Sequence, residues 1–353
     1  MGVRILIVSD AWKPQVNGVV RTLESVSKEL MQMGHEVQII GPDDRRLFTF
    51  PMPFYPEIKL EFFARPRLKK RFRDYSPDIL HIATEGPLGW AARGLCLCEG
   101  RVFTTAYHTN FPDYLSKRVP RLFASTVSFM AYAILRRFHA PSEAVLVATA
   151  SIENELRKRK FSRLVHCPYG VDIDLFKPYG KKLDAYKNLR RPILLSVGRI
   201  ATEKNLRAFL DLNTQGSRVV IGEGPELEIL KQAYPQAHFL GFLGGEKLAR
   251  AYAGADVFVF PSKTDTFGLV LLEACAAGLR CAAYPVTGPR DIFSDERSKA
   301  FAALDENLQK AVDCALLMPD NPEIPRAFAA NFSWKESARK FLSANTDQRK
   351  MKE

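Results

Sequence analysis

Two carboxylates that could bind a sugar lie near each other in the stretch SKTDTFGLVLLEACAAG, residues 262–278. Asp265 precedes a Phe-Gly step, and Glu273 follows it about two helical turns later, at roughly 3.6 residues per turn. The apolar run after Gly268 predicts a helix closed by Gly278, and the N-terminus of a helix attracts phosphate. One carboxylate could then accept hydrogen bonds from sugar hydroxyls and the other from a ribose diol. For either residue alone, a helix cap at Asp265 or a surface position at Glu273 remains open.

Two cations occupy a similar position earlier in the chain. The strand pattern PILLSVG, residues 192–198, is followed by RIATEKN, in which Arg199 and Lys204 lie five positions apart. If the strand ends there and a helix begins near Glu203, both side chains can converge on a diphosphate. A solvated helix start with a local pair between Lys204 and Glu203 remains open from this spacing alone.

These residues suit the cleavage of a sugar-phosphate bond. Such cleavage gives the sugar oxocarbenium character and leaves negative charge on the departing diphosphate. Arg199, Lys204 and a helix N-terminus would stabilise that charge by preorganised electrostatics, without a metal. No second carboxylate is evident as a covalent nucleophile.

Strand and helix patterns alternate along the chain. Strand patterns occur at residues 3–8, 36–40, 78–83, 102–107 and 144–150, and again at 192–198, 218–222, 238–241, 256–262 and 280–286. A stretch rich in Pro, Gly and Lys, residues 168–192, separates the two series. This order predicts two doubly wound parallel sheets joined near residue 170, with ligands at the carboxyl ends of the strands. The loop after the first strand carries Gly18 at a helix start, where backbone amides could approach an anion.

Several common site types lack their sequence signatures. The chain has neither a GxGxxG fingerprint nor a GxxxxGK[ST] phosphate loop, which argues against a dinucleotide dehydrogenase. The six cysteines show no CxxC spacing, and the triplet Asp172-Ile173-Asp174, which could hold a metal, lies in the connection between the two strand series. We therefore expect reduced thiols, no metal and no other cofactor. The N-terminal apolar run is too short for a signal peptide, so we expect a chain that is not exported.

Basic residues are concentrated in two clusters that also contain aromatic side chains, in a chain whose formal net charge is +12. The first cluster sets seven basic residues against Glu61 alone: Lys59, Arg65, Arg67, Lys69, Lys70, Arg71 and Arg73. The second brackets the apolar stretch 122–135, which is too short to span a bilayer, and comprises Lys117, Arg118, Arg121, Arg136 and Arg137. Both suit anionic lipid head groups, although a core helix with solvated basic ends remains open for the second. Nucleic acid is not expected, since no binding motif is present.

Together the motifs resemble glycosyltransferase family 4, retaining enzymes of the GT-B fold that use nucleotide sugars. The resemblance rests on GRIATEKN (198–205), VIGEGPE (220–226), GADVFVFPSKTDTFGLVLLEA (254–274) and FSWKESARKFL (332–342), which occur in the family's order. SDAWKPQVNGVVRTL, HIATEGPLG and YHTNFPDY resemble more narrowly the branch of sulfoquinovosyl-diacylglycerol synthase, bacterial diacylglycerol glycosyltransferases and GDP-mannose-dependent mannosyltransferases. One departure is Asp265, because the first acidic residue of the family's motif is most often Glu, and this leaves the sugar of the donor open.

The resemblance implies catalytic roles for four residues. Arg199 and Lys204 would bind the donor diphosphate, and Asp265 would hold the transferred hexose. His108 would face the reacting sugar, although from its position alone it could be a strand-end histidine bonded to backbone. Glu85 is a candidate on the acceptor side.

The resemblance also implies further donor contacts and a stereochemical course. The donor contacts are Gly18 beneath the diphosphate, Glu273 at the ribose, the backbone amides of Phe267, Gly268 and Leu269 at the hexose, and Phe242 and Leu243 near the base. Attack would occur on the face that the diphosphate leaves, so that configuration is retained and the leaving phosphate takes the acceptor proton. No metal is implied.

The expected protein is thus an α/β enzyme with two Rossmann-like domains that face each other across a cleft. Residues 1–168, completed by a C-terminal helix at 335–353, would bind the acceptor, and residues 169–334 would bind the nucleotide sugar. We expect transfer of a hexose from UDP-glucose or UDP-glucuronate to a membrane lipid such as diacylglycerol, at the inner face of the cell membrane and from the cytoplasm. The alternatives are a GDP-mannose-dependent mannosyltransferase and, outside this class, a non-catalytic basic scaffold on the membrane.

Overall fold

The computed structural model describes residues 2–15, 17–43, 47–52, 55–108, 110, 112 and 119–350. The chain forms two compact units and passes between them twice. The first unit comprises Met1–Tyr169 together with Trp334–Glu353, and the second comprises Gly170–Ser333. Among the described residues, no helix combines the length and the apolar character needed to cross a bilayer.

The first unit is built on a parallel sheet of six strands. Its strands are β1 (Arg4–Val8), β2 (Glu36–Ile40), β5 (Ile79–Ile82), β6 (Thr104–Tyr107), β7 (Val145–Val147) and β8 (Leu164–His166), and a separate antiparallel hairpin consists of β3 (Thr49–Met52) and β4 (Tyr55–Glu61). Its helices are α1 (Gly18–Gln32), α2 (Arg65–Tyr75), α3 (Pro87–Cys98), α4 (Arg121–His139), α5 (Ala150–Lys158) and the last helix of the chain, Trp334–Lys350. The strand order is β2-β1-β5-β6-β7-β8.

The core of the first unit lies on both faces of this sheet. Side chains alternate between the two faces of a strand, and a parallel sheet is buried on both. Ile5 and Ile7 of β1 accordingly pack against α1 and the last helix, while Leu6 and Val8 pack against α2 and α3. Phe341 of the last helix is buried on the same face of the sheet as Ile5 and Ile7. The last helix therefore completes the core of the first unit.

The hairpin was not predicted from the sequence. Pro51 in β3 and Pro56 in β4 interrupt the strand pattern, and proline is tolerated in a strand mainly at an edge or a bulge. Glu61 at the end of β4 is fully buried and forms an ion pair with Arg67, with Nη2 and Oε2 2.5 Å apart. Glu61 is therefore paired inside the unit with Arg67, one member of the first basic cluster.

The second unit repeats the architecture. Its strands are β9 (Ile193–Val197), β10 (Ser217–Ile221), β11 (His238–Phe239), β12 (Val257–Phe260), β13 (Arg280–Ala283) and β14 (Ala302–Leu304). Its helices are α6 (Leu206–Leu210), α7 (Leu227–Ala233), α8 (Gly245–Gly254), α9 (Leu269–Ala276), α10 (Thr287–Ile292), α11 (Leu308–Leu317) and α12 (Glu323–Ala329). The strands are parallel and lie in the order β11-β10-β9-β12-β13-β14.

All ten strand patterns read from the sequence contain a strand in the structure, and the prediction of two parallel-sheet α/β domains is confirmed. The two parallel strands that were missed, β8 and β14, have three residues each and lie at sheet edges. β8 follows Arg163 and ends in His166, and β14 consists of two alanines and a leucine, so neither has the run of β-branched and aromatic residues that favours a strand.

Candidate functional site

The strand order of the second unit marks a place where a ligand is expected. The chain winds in one direction from β9 to β11 and in the other from β12 to β14, so the order reverses between β9 and β12. In doubly wound sheets, ligands bind beyond the carboxyl ends of the strands at this reversal. Arg199 follows β9 and Asp265 follows β12. Two predicted site residues therefore come from the loops where the fold favours binding.

An ion pair joins these two loops. Lys204 Nζ lies 2.5 Å from Asp265 Oδ2, although 61 positions separate the two residues. A single 3₁₀ turn, Thr202–Lys204, stands where a helix was predicted to begin, and Asn205 then adopts a left-handed conformation with φ +53°. Asn205 Nδ2 donates a hydrogen bond of 3.1 Å to the carbonyl oxygen of Pro261. The structure thus brings together the predicted diphosphate cation and the predicted hexose carboxylate.

Two glycines fix the backbone on either side of Arg199. A Cβ atom at Gly222 would lie 1.8 Å from the carbonyl oxygen of Gly198, and one at Gly224 would lie 2.2 Å from that of Ile200. Both glycines also have a positive φ. The loop after β10 can therefore pack against the residues that flank Arg199 only because these two positions lack a side chain.

The loop that carries Asp265 ends in the predicted helix. Gly268 adopts a left-handed conformation with φ +91° at the N-cap of α9, so the helix starts where the sequence indicated. Phe267 is buried, and a Cβ atom at Gly288 would lie 2.5 Å from its carbonyl oxygen. Close contact with the start of α10 therefore holds the backbone at Phe267, the first of the predicted hexose contacts, while Gly268 and Leu269 begin α9.

Glu273 lies inside the second unit. Glu273 is only 6% exposed, which contradicts the alternative of a surface position. The buried Tyr252 donates its hydroxyl to Glu273 Oε2 at 2.9 Å. A buried carboxylate must be hydrogen-bonded, and this contact fixes one of its two oxygens. The Tyr252 hydroxyl therefore orients the Glu273 carboxylate.

The predicted base contacts lie on the loop after β11. Phe242 is 48% exposed, and Leu243 is half-buried. The neighbouring Gly241 accepts a backbone hydrogen bond of 2.8 Å from Gly222, so this loop is tied to the one that supports Arg199. An exposed aromatic ring at this edge of the sheet suits stacking on a nucleotide base.

The sheet of the first unit has its own reversal, between β1 and β5. Gly18 follows β1 and begins α1, where the side chain of Asn17 caps the helix by accepting a hydrogen bond of 3.0 Å from the Val20 amide. The exposed Gly18 thus lies at the carboxyl edge of the first sheet, as the sequence indicated. The predicted role of Gly18 beneath a diphosphate stays a prediction.

Asp10, a buried carboxylate at the same edge, was missed by the sequence reasoning. Asp10 Oδ1 accepts a hydrogen bond of 2.9 Å from the Leu88 amide, and Oδ2 accepts bonds from the Gly89 amide at 3.1 Å and from the Thr84 hydroxyl at 2.9 Å. It therefore caps α3, whose own N-cap residue, Gly86, has no side chain to do so. Burial raises the pKa of Asp10 to about 6, although these hydrogen bonds favour the charged form. The useful sequence signal was an Asp two positions after a buried strand, together with a later helix that starts with Gly-Pro.

Glu85 and His108 have well-defined partners in the first unit. Glu85 Oε1 lies 3.2 Å from His139 Nε2, and His139 Nδ1 lies 2.8 Å from the Thr105 hydroxyl oxygen. His108 Nδ1 lies 2.6 Å from the hydroxyl oxygen of Tyr169. This partner of Nδ1 is a side chain. Neither the acceptor role of Glu85 nor the sugar role of His108 is tested by these contacts.

The Asp172-Ile173-Asp174 triplet forms a local turn in the second unit. Asp172 Oδ1 accepts hydrogen bonds from the amides of Asp174 at 3.1 Å and Leu175 at 2.9 Å. Within the described ranges, no group of three or more His, Cys, Asp or Glu side chains is arranged to hold a metal ion. The turn accounts for Asp172 as a capping residue.

Comparison with known proteins identifies both halves of the chain. The family described as Glycosyltransferase Family 4 matches residues 16–175, and the family described as Glycosyl transferases group 1 matches residues 182–332. A GDP-mannose-dependent alpha-mannosyltransferase of Mycobacterium tuberculosis is 30% identical over 321 residues, which cover 84% of this chain and 83% of the relative. An alpha-monoglucosyldiacylglycerol synthase of Streptococcus pneumoniae is 27% identical over 363 residues, which cover 91% and 80%.

A solved structure supports the same assignment at the level of the fold. Sucrose-phosphate synthase from Thermosynechococcus elongatus superposes with a TM-score of 0.70 at 18% identity, over 99% of this chain and 98% of that one. The sequence matches make the chain an enzyme, in place of the non-catalytic scaffold that the sequence alone left open. Since both halves match and a relative is 30% identical over most of both chains, the protein belongs to glycosyltransferase family 4 and is a glycosyltransferase of the GT-B fold.

Proposed function

We propose that this glycosyltransferase moves a hexose from UDP-glucose or UDP-glucuronate to a membrane lipid such as diacylglycerol, with retention of configuration and without a metal. The observation that carries the proposal is the Lys204–Asp265 ion pair, which joins the loop after β9, the loop that also carries Arg199, to the loop after β12. It places a cation for a diphosphate next to a carboxylate for sugar hydroxyls. A nucleotide-diphosphate sugar presents these two groups side by side.

The cations of the second unit would stabilise the leaving group. As the bond between the sugar and the diphosphate breaks, negative charge grows on the phosphate oxygens. Lys204 and the N-terminus of α9 are already oriented by the loops described above, so they need little reorganisation to meet that charge, and Arg199 would add a second cation from the loop after β9. The leaving phosphate oxygen would then take the proton of the acceptor hydroxyl, which attacks the same face of the sugar.

The ion pair also suggests how the donor is received. A diphosphate would compete with Asp265 for Lys204, because a phosphate oxygen accepts a charge-assisted hydrogen bond as well as a carboxylate does. Asp265 would then be available to accept hydrogen bonds from hexose hydroxyls. Glu273, held by Tyr252, would accept bonds from the ribose diol, and Phe242 would stack on the base.

The acceptor proposal rests on a surface of the first unit. We call the exposed basic side chains of α2 the basic face: Arg65, Lys69, Lys70, Arg71 and Arg73. The opposite side of the helix is anchored in the core by Leu68, Phe72 and Tyr75. Lys70 and Arg71 also line a cavity of about 550 Å³. Glu61 pairs with Arg67, which is not part of the basic face, while Arg73 of the face pairs with the exposed Asp74 at 3.5 Å.

Exposed aromatic rings next to this face complete the surface. We call these the aromatic group: Phe48 and Phe50 from the β3 side of the hairpin and Phe62 and Phe63 after β4, exposed by 47%, 51%, 42% and 77%. The rings pair as Phe48 with Phe63, with centroids 5.1 Å apart, and as Phe50 with Phe62, 6.4 Å apart. Aromatic rings beside lysine and arginine match a bilayer interface with anionic head groups. We infer that this surface rests on the inner face of the cell membrane.

The helix α4, which the second basic cluster brackets, carries a further apolar surface. Lys117 and Arg118 lie outside the described residues. Leu122, Phe129 and Met130 of α4 are exposed by 82%, 70% and 57%, so the alternative of a core helix fails for this part of the stretch. We infer that α4 also faces lipid, through these side chains.

We expect vesicle binding to depend on the basic face. Because each surface lysine near an anionic membrane contributes about 1 kcal/mol, the double variant Lys69→Glu/Lys70→Glu should bind phosphatidylglycerol vesicles at least about tenfold more weakly. Co-sedimentation at low salt measures this. The control Lys28→Glu/Lys158→Glu makes the same charge change at exposed helical positions of the same unit and should bind nearly as well as wild type. If both variants lost vesicle binding equally, the loss would be explained by net charge alone. The argument for this surface would then fail.

A donor panel tests the reaction that we propose. Since a donor that binds the folded enzyme at 100 times its Kd stabilises it by about 2.7 kcal/mol, UDP-glucose or UDP-glucuronate should raise Tm measurably. The Arg199→Ala variant should lose most of that shift. Stabilisation by GDP-mannose alone would instead favour alpha-mannosyl transfer, the second candidate, which the similarity to a mycobacterial mannosyltransferase supports. If no nucleotide sugar stabilised the enzyme, the donor site proposed here would be wrong.

A further inference from the structure

The partner of His108 is held in place from several directions. Tyr169 is the last residue of the first unit before the chain crosses to the second, and Trp334 is the first residue after it returns. The two rings stack, with centroids 6.3 Å apart and planes inclined by 27°. Just before Tyr169, the Ser337 hydroxyl donates to the Pro168 carbonyl oxygen at 2.6 Å, and the Cys167 amide donates to the Val147 carbonyl oxygen at 2.8 Å. Tyr169 therefore approaches His108 from a fixed backbone.

Burial keeps both side chains neutral. It lowers the pKa of His108 to about 4, with a smaller contribution from the nearby His139, and it raises the pKa of Tyr169 above the ordinary tyrosine value. At neutral pH, a neutral imidazole therefore faces a phenol that keeps its proton. A neutral imidazole has one nitrogen that donates and one that accepts.

The chemistry of the pair decides which nitrogen is which. A phenol hydroxyl is a stronger acid than an imidazole N–H, and an imidazole nitrogen is a better acceptor than a phenol oxygen. The favoured arrangement across the 2.6 Å contact therefore has Tyr169 O–H donating to His108 Nδ1. The ring proton then resides on Nε2, since a neutral imidazole carries one.

We propose that Tyr169 is a positioning residue that fixes His108 in the tautomer with the proton on Nε2. His108 then offers its substrate a hydrogen-bond donor and cannot act as the base for the acceptor hydroxyl. This inference rests on the proposed function, in which His108 contacts the transferred sugar. It also deepens that function, because a donor at His108 leaves the departing phosphate as the group that takes the acceptor proton.

The tautomer can be observed in the resting enzyme without any substrate. In protein labelled with ¹⁵N-histidine, long-range proton–nitrogen correlations distinguish a protonated from an unprotonated ring nitrogen. We expect His108 Nε2 to be protonated and Nδ1 to be an unprotonated acceptor. The protein has six histidines, and the signals that are absent from the spectrum of the His108→Gln variant are those of His108. A proton on Nδ1 of the wild-type enzyme would overturn the inference whether or not the donor assignment is right.

Tyr169→Phe is the variant that isolates the hydroxyl. It keeps the ring that stacks on Trp334 but removes the O–H, so the His108 signals should shift toward the other tautomer. We expect kcat to fall by about tenfold, roughly the value of one intramolecular hydrogen bond, while the donor KM changes little. Unchanged nitrogen signals, or a kcat equal to that of wild type, would overturn the positioning role.

A matched control separates this role from general loss of a buried phenol. Tyr186 is a buried tyrosine of the second unit, and its hydroxyl has no hydrogen-bond partner among the described residues. The Tyr186→Phe variant should retain wild-type kcat and unaltered His108 signals. If Tyr186→Phe lowered kcat as much as Tyr169→Phe does, the effect would be structural and the inference would fail. If the wild-type enzyme bound no nucleotide sugar, the proposed function would be contradicted. The tautomer measurement would still be a valid test of the Tyr169–His108 contact.

Discussion

Lys204→Ala should lower turnover by a factor of about 100 to 1,000 while the fold survives. The physical reason is that Lys204 is held at the reversal of the second sheet, where it can meet the charge that develops on the leaving diphosphate. That charge is larger in the transition state than in the bound donor, so the loss should appear in kcat as well as in kcat/KM. Steady-state kinetics with the donor identified by the thermal-shift panel measure both.

The fold is expected to survive because the pair contributes little to stability. The side chains of Lys204 and Asp265 are 25% and 17% exposed, and partly exposed ion pairs contribute on the order of 1 kcal/mol or less. The control Lys231→Ala removes an exposed lysine of the same unit that pairs with Glu228 at 3.0 Å, and it should leave turnover unchanged. Near-normal turnover in Lys204→Ala, or an equal loss in Lys231→Ala, would contradict the role of Lys204.

The sequence predicted most of the architecture because the sheets are parallel and buried on both faces. Such strands are continuous apolar runs, and each is separated from the next by a helix, so runs such as 78–83 and 256–262 are easily recognised. The edge strands β8 and β14 and the hairpin lack this signal. Pro51 and Pro56 hide the hairpin, whose pairing depends on contacts that no local pattern encodes.

The site was predictable to the extent that its residues follow strands directly. Asp265 and Arg199 could be found because each lies in a loop after a buried strand, and Gly268 because a left-handed N-cap favours glycine. The partners could not be predicted, because they join residues that are distant in the chain. The Lys204–Asp265 pair spans 61 positions and the contact of Tyr169 with His108 spans 61 as well.

The sequence did not predict the hydrogen-bond partners of buried polar side chains. Asp10 caps a helix that starts 77 positions later, counted from Asp10 to Pro87, and Tyr252 donates to a carboxylate 21 positions away. In the sequence, Asp10 reads as a loop residue and Tyr252 as part of an apolar helix face. Only the packed fold shows that both side chains are buried and need hydrogen-bond partners. It also shows which residues serve as those partners.

Glu273→Gln is expected to weaken donor use by about 100-fold in kcat/KM, which corresponds to about 2.7 kcal/mol. A carboxylate can accept both hydroxyls of a diol through charge-assisted hydrogen bonds, and the neutral amide loses the charge and one of the two acceptor oxygens. Gln fills the same space and can still accept the Tyr252 hydroxyl at its remaining oxygen. The loss should therefore appear in donor affinity, measured by titration and by KM, more than in Tm.

Tyr252→Phe and Glu273→Ala separate binding from packing. Tyr252→Phe removes the hydroxyl that orients Glu273 and should raise the donor KM by a smaller factor, because the carboxylate itself stays. Glu273→Ala leaves the buried Tyr252 hydroxyl without this acceptor and should lower the free energy of unfolding by about 1–3 kcal/mol. Wild-type donor affinity in Glu273→Gln would show that the carboxylate serves the fold alone, as the buried partner of Tyr252, and the ribose would then have to be bound elsewhere.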